Sequence, residues 1–255
     1  IIETNPWLSL AQQAYLREII FNCRDIYHSP TLPGHQETVL GSQIYQQNYG
    51  LEPQLKIHSY LLTYDRPILS AKNRADLDAW LSAPGNRAGI LTNRPSRTPD
   101  GFLSAPEAEL GAQTAGFSHL PILGSGMLGW YASIHRELPD HTLLKPNPVH
   151  ALALLQMINH VPPDKSLERA VNLWQGRGFQ NEWSYLEGAR VSIFEDSAKG
   201  LRSGIAAQSL LKGMGVRIDL NLIGVSVHPV KTAVLSEYAD RLISDINEIN
   251  WSIFD

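Results

Sequence analysis

A chain of 255 residues, 43% hydrophobic and 18% charged, has apolar content for one substantial core with a smaller satellite, so one or two globular domains are expected. Its 21 basic and 25 acidic residues give a formal charge of -4, without the broad positive field that binds nucleic acid or an anionic membrane, and a small soluble ligand is the expected partner. No apolar run approaches the roughly 20 residues that span a bilayer, and the single cysteine, Cys23, cannot close an internal disulfide; both features fit a reducing cytoplasm.

From Pro6 to about Tyr64 the pattern predicts mostly helix. Leu8, Leu10, Ala11, Ala14, Tyr15 and Glu18 to Phe21 form one amphipathic segment, Val39, Ile44 and Tyr45 mark a second, and Pro30, Pro33 and Gly34 separate them. After Asp65-Arg66-Pro67 helices alternate with short apolar strands, the pattern of a mostly parallel, doubly wound α/β sheet covered on both faces. The predicted division is therefore a helical unit over 1–64 and an α/β core over 65–255.

Within the core, a helix over Ala71 to Ser82 precedes a buried strand at Ala88 to Leu91, which runs into Thr92-Asn93-Arg94. Ser104-Ala105-Pro106-Glu107 predicts a capped helix start, and Gly116 its end. A strand at Leu120 to Leu123, a helix over Pro148 to Ile158, and a strand from Ala189 to Phe194 ending in Glu195-Asp196 follow. Residues 159–187 read as an insertion of a helix plus irregular loop. Leu222 to Val227 gives the last strand, followed by a helix opened by Pro229.

Three segments fall where open parallel sheets place their ligands, at strand carboxyl ends or just before a helix. They are Gly89-Ile90-Leu91-Thr92-Asn93, Leu144-Lys145-Pro146-Asn147-Pro148, and Ile193-Phe194-Glu195-Asp196-Ser197-Ala198-Lys199-Gly200-Leu201. A hydroxyl with backbone N–H groups can hold phosphate oxygens, a lysine can neutralise charge, and hard carboxylate oxygens suit Mg²⁺. In this order the segments resemble the second, third and fourth motifs of the haloacid dehalogenase-like superfamily of Mg²⁺-dependent phosphohydrolases.

That resemblance implies catalytic roles for Thr92 and Lys145, Mg²⁺ held by Asp196 with Glu195 second, and a phosphorylated small-molecule substrate touching Thr92, Asn93 and Arg94. It also implies hydrolysis through an aspartyl-phosphate. The family's first motif, Asp-x-Asp-Gly-Thr, is missing. Asp76-Leu77-Asp78 has helical spacing, and Asp219-Leu220-Asn221 follows the fourth motif. Ile1-Ile2-Glu3-Thr4 looks like the family's sequence just after the first motif, so a further strand and Asp-x-Asp loop are expected ahead of Ile1. The helical unit then takes the place of the family's cap, with Arg24, His28, His35 and Gln36 as polar candidates to face substrate.

Two other functions compete: a catalytically inactive module of the same fold that binds a phosphorylated ligand or protein, and a dinucleotide-binding oxidoreductase. The second rests on Gly124-Ser125-Gly126-Met127-Leu128-Gly129, a match to G-x-G-x-x-G. Its surroundings are wrong, since Pro139 breaks the next segment and Lys145-Pro146 stands where an acidic strand end is needed, so the glycines read as a flexible loop. The nine histidines, His119, His135, His141, His150 and His160 among them, show no metal-ligand spacing. Trp130, Tyr131, Trp174 and Trp183 read as core.

Overall fold

The computed structural model describes residues 7–23, 25–99, 102–135, 138 and 142–249. Ile1 to Thr4, Arg24, Pro139 and His141, singled out above, lie outside the described residues. Within them the chain is α/β, with eleven α-helices and five short strands in two wholly parallel sheets. None of these helices is long and apolar enough to cross a membrane.

Helix α1 (Leu10–Phe21) opens on a capping box between Ser9 and Gln12, yet buries none of its residues; Leu10 and Phe21 are more than four-fifths exposed. The second expected helix is broken into α2 (Leu32–Leu40) and α3 (Ser42–Tyr49) by Gly41, at φ 77° and ψ 155°. Pro33 and Gly34, expected to separate helices, sit instead in the first turn of α2, where the N–H that proline lacks would have no partner anyway. With α4 (Tyr60–Tyr64), these helices enclose Ile26, Leu40, Tyr45, Tyr49 and Leu61, and Ala105 and Leu110 join the same cluster. Glu37 fastens the following loop by accepting from Ser42 Oγ and from the backbone N–H groups of Gln54, Leu55 and Lys56. Burial pushes its carboxyl pKa up, but these bonds outweigh it and hold the group below the ordinary value.

Next come α5 (Ala71–Leu81), β1 (Ile90–Leu91), α6 (Glu107–Ala115), β2 (Ile122–Leu123) and α7 (Ser125–Ile134). Ser104 does not cap α6: the N-cap is Pro106, with no side-chain hydrogen bond, while Gly116 ends the helix in the left-handed conformation. Then follow α8 (Pro148–Ile158), α9 (Pro163–Trp174), β3 (Arg190–Glu195), α10 (Ala198–Gly213), β4 (Asp219–Val225), α11 (Pro229–Leu235) and a short β5 (Arg241–Ile243) that the pattern did not predict. β5 is held by Asp240, whose N–H reaches Leu222 O and whose carboxylate accepts from Leu222 N.

One sheet pairs β1 with β2, and the other runs β3, β4, β5. Helix α8 buries nine of its eleven residues, so it is the inside of the helix layer, packed on β1, β2, α9 and α10. Helix α10 lies on β3 and β4 and against α8, so the two helices form one layer under both sheets. The 159–187 insertion supplies α9 and a fully buried Trp183 to the main core. Tyr131 also joins that core, while Trp130 and Trp174 are partly buried against it.

Gly41 occupies a backbone region essentially closed to L side chains, and a Cβ there would run into the backbone of Ser59. Gly41→Ala is therefore expected to destabilise the α2–α4 unit by at least about 2 kcal/mol, read as a lower urea midpoint. An unchanged midpoint would show that the turn relaxes freely.

Candidate functional site

Chain alternation fixes which way the end of β3 points. A Cβ at Gly204 would meet the Ile193 side chain and one at Gly200 would meet the Glu195 carboxylate, so these odd-numbered side chains of β3 face α10. The strand then gives way to helix at Ser197, whose hydroxyl accepts from Gly200 N at 3.4 Å as the N-cap of α10. Proline is suited to the first turn of α8, and Asn147 caps that helix through Val149 N at 2.8 Å. Lys145 stands just before this cap, and so at the same end of the sheets as β3.

Lys145 Nζ donates to Leu91 O at 3.1 Å and forms an ion pair with Glu195 Oε1. Both side chains are over nine-tenths buried. Ser197 Oγ donates to the other Glu195 oxygen at 3.2 Å. Asp196 has the opposite surroundings: its side chain is two-thirds exposed and accepts from Lys231 Nζ, at the start of α11, at 2.8 Å. That carboxylate, by its hydrogen bond and its charge, holds the Lys231 ammonium above its ordinary pKa.

Leu91, Thr92, Asn93, Lys145, Phe194, Glu195, Asp196 and Ser197 together line a polar cavity of about 300 Å³ at the carboxyl ends of β1 and β3. The structure thus brings Thr92, Asn93, Lys145, Glu195 and Asp196 together. It does not bring in Arg94, which donates to Asp65 Oδ2 at 2.9 Å and whose backbone N–H is taken by Thr92 Oγ1. Glu195, expected as a second metal ligand, is instead engaged by Lys145. Gln36, expected to face a ligand, is buried between Tyr49 and Glu107, and neither His28 nor His35 lines the cavity. Asp76 and Asp78 lie on α5, and Asp219 sits at the far end of β4, beside Arg190. Lys231 and Ser197 were not foreseen as site residues; the Pro229 helix start after β4 was the signal for the first, and the N-cap position for the second.

The Gly124–Gly129 segment is not a flexible loop. It starts α7 directly after β2, but a Cβ at Gly124 or Gly126 would run into the Arg94–Ser104 loop. Ser125 N bonds Arg94 O at 3.0 Å. Chain therefore fills the space over this helix start that a pyrophosphate would need.

Mg²⁺ asks for hard oxygen ligands, retains several waters and accepts as few as one or two carboxylates beside a phosphate. Among the described residues no group of three or more His, Cys, Asp or Glu could hold a metal ion. If a Mg²⁺ were held here, Asp196 would be its protein carboxylate, with Thr92 and Asn93 lining the same cavity. Lys145 has three N–H donors, of which Leu91 O and Glu195 take two among the described residues, and its side chain lines the cavity.

Behind Lys145 lies His150 of α8, fully buried, with Nε2 donating to Leu123 O at 3.0 Å and Nδ1 without a hydrogen-bond partner among the described residues. Burial, opposed by that bond and reinforced by the Lys145 charge, pushes its pKa from the ordinary 6.5 down to about 4. Between these values the unfolded chain binds the extra proton and the folded chain does not. Stability therefore falls as pH falls through that window, by up to about 3 kcal/mol from this group.

Two measurements probe this region. In His150→Gln, whose amide can still donate to Leu123 O, the loss of stability between pH 6.5 and 4 should shrink by about 3 kcal/mol; an unchanged acid limb would mean that His150 titrates normally in the fold. Lys145→Met leaves the Glu195 carboxylate buried without its cation and should cost about 3–5 kcal/mol, whereas Lys145→Met with Glu195→Leu should cost less than the single change. A double variant at least as unstable as Lys145→Met would refute the ion pair as the reason.

Compared with protein-family models, curated proteins and solved structures, the chain matches none.

Proposed function

We propose that the polar cavity is the phosphate site of a Mg²⁺-dependent phosphohydrolase acting on a phosphorylated small molecule, in a doubly wound core of the haloacid dehalogenase-like kind. One observation carries this reading: residues of three segments, with about fifty positions between successive segments, meet in one cavity at the strand ends. Thr92 and Asn93 supply donors for phosphate oxygens, and the third Lys145 N–H supplies positive charge beside them. Asp196 would hold the Mg²⁺, which when bound draws charge from the phosphate oxygens. Under this reading the nucleophilic aspartate comes from a segment outside the described residues, and the helices α1 to α4 form the cap that selects the substrate.

A second reading, binding without turnover, is favoured by one feature: Asp196 is the single aspartate among the described residues of the cavity wall, and Lys231 already holds it. The dinucleotide reading is not retained, because the glycines of α7 are packed under the loop after β1.

Calorimetric titration with inorganic phosphate, with and without Mg²⁺, tests the site itself. Mg²⁺ should strengthen phosphate binding, Asp196→Asn should remove at least about tenfold of that gain, and Thr92→Val should weaken phosphate while sparing the Mg²⁺ response. Phosphate binding indifferent to Mg²⁺, or unaltered in Asp196→Asn, would defeat the proposal. Turnover of phosphate esters, present or absent in protein that passes these titrations, separates the enzyme from the binding module.

A further inference from the structure

Thr92 is tied at two points. Its backbone N–H donates to Leu123 O at 3.1 Å, which fixes the main chain at the end of β1, and its Oγ1 accepts the backbone N–H of Arg94 at 3.1 Å. A threonine hydroxyl has one hydrogen and two lone pairs. With a lone pair given to Arg94 and no acceptor for the hydrogen among the described residues, that hydrogen is what Thr92 can offer to the cavity it lines. The tie also sets the rotamer. Released from it, a threonine exchanges hydroxyl for methyl by rotation about χ1, and a methyl group cannot serve an anion.

Where the Arg94 N–H stands depends on what holds Arg94. Its carbonyl accepts from Ser125 N at the start of α7, at 3.0 Å, and its Nη1 donates to Asp65 Oδ2 at 2.9 Å. A Cβ at Gly111 of α6 would come within 3.3 Å of Arg94 Nη1, so the guanidinium lies against a bare stretch of helix that limits its range. Asp65 is held as firmly. It is the C-cap of α4, and its N–H donates to Leu61 O at 2.9 Å. Three residues on, Asn247 closes over the chain between α4 and α5: its Nδ2 donates to Ile68 O at 2.9 Å, its Oδ1 accepts from Ser70 N at 2.7 Å, and its carbonyl accepts from Asn73 Nδ2 at 2.9 Å. An exposed ion pair usually contributes little, because two long side chains must be ordered to make it. Here one partner is short, and both backbones are already fixed.

We propose that Arg94, braced by Asp65, is a positioning residue that directs the Thr92 hydroxyl hydrogen into the polar cavity, where it meets an oxygen of a bound anion. Asn247 is the far anchor of the same bracket. Arg94 thereby serves the ligand without touching it, and the order of the site depends on a residue 155 positions beyond Thr92 in the chain. The identity of the anion rests on the phosphate reading of the cavity; the fixed hydroxyl does not.

The χ1 angle of Thr92 can be read in the ligand-free protein from the three-bond couplings of its methyl carbon to the backbone nitrogen and carbonyl carbon. The unaltered protein should show one rotamer. Arg94→Met and Asp65→Ala should show averaged couplings with an unchanged circular dichroism spectrum, and Asn247→Ala should move them the same way. Arg94→Lys, which can still donate to Asp65, should keep the couplings of the unaltered protein. In calorimetric titration with inorganic phosphate and Mg²⁺, Arg94→Met should weaken binding by at least about threefold, and should cost nothing further in a Thr92→Val background. Averaged couplings in the unaltered protein, a fixed rotamer retained in Arg94→Met, or the same loss of binding with and without the Thr92 hydroxyl would each overturn the proposal. A protein with the expected couplings that binds no phosphate would refute the phosphate reading and leave the bracket standing.

Discussion

A buried lysine and a buried glutamate cannot be left apart in an interior of low dielectric, and the pairing of Lys145 with Glu195 organises everything around it. Lys145 belongs to the approach to α8 and Glu195 to the end of β3, while the ammonium also holds Leu91 O at the end of β1. One cation thereby aligns three chain segments at a common level. Ser197 satisfies a remaining carboxylate lone pair, and Gly200 leaves room for that carboxylate against the first turn of α10. The pairing costs desolvation on both sides; what it secures is position.

The adjacent Glu195 and Asp196 divide two tasks between them. Glu195, pointing into the helix layer, is sealed by Lys145, whereas Asp196, one residue on and turned out, stays in water and among the described residues pairs with Lys231. A carboxylate that has to meet a changing ligand must be of the second kind, since an exposed ion pair with a lysine is easily exchanged. Thr92, Asn93 and Lys145 line the same cavity.

Local signals carried the elements whose formation is decided locally. The helices expected over Ala71 to Ser82 and Pro148 to Ile158 match α5 and α8, whose caps Ser70 and Asn147 adjoin them, and the strand expected from Ala189 to Phe194 matches β3, because caps and buried strands are written in neighbouring residues. β5 escaped because two of its three residues are exposed and it depends on Asp240 clamping Leu222, a contact made across the sheet. Gly41 was not recognised as a breaker, since its positive φ is imposed by the close passage of Ser59. In the site, residue types near strand ends pointed to Thr92, Asn93, Lys145 and Asp196. The partners that decide their state, Lys145 for Glu195, Asp65 for Arg94 and Lys231 for Asp196, stand between 29 and 50 positions away in the chain and left no local trace.

Helix α10 begins at the cavity wall and continues for sixteen residues, or about 24 Å, and its later turns place Ala207 and Leu211 in the main core. On the way Ser203 holds Asn147 O at the start of α8, and Leu211 is fully buried. A rigid rod with one end at the site and the other in the core makes the molecule its own reporter. Any ligand that tightens the grip on the first turn of α10 also holds the rod against the hydrophobic centre, so occupancy is written into the melting temperature of the whole domain. Thermal shift across a panel of small molecules, compared between the protein and Asp196→Asn, therefore tests whether the cavity takes a ligand, with no knowledge of the reaction required.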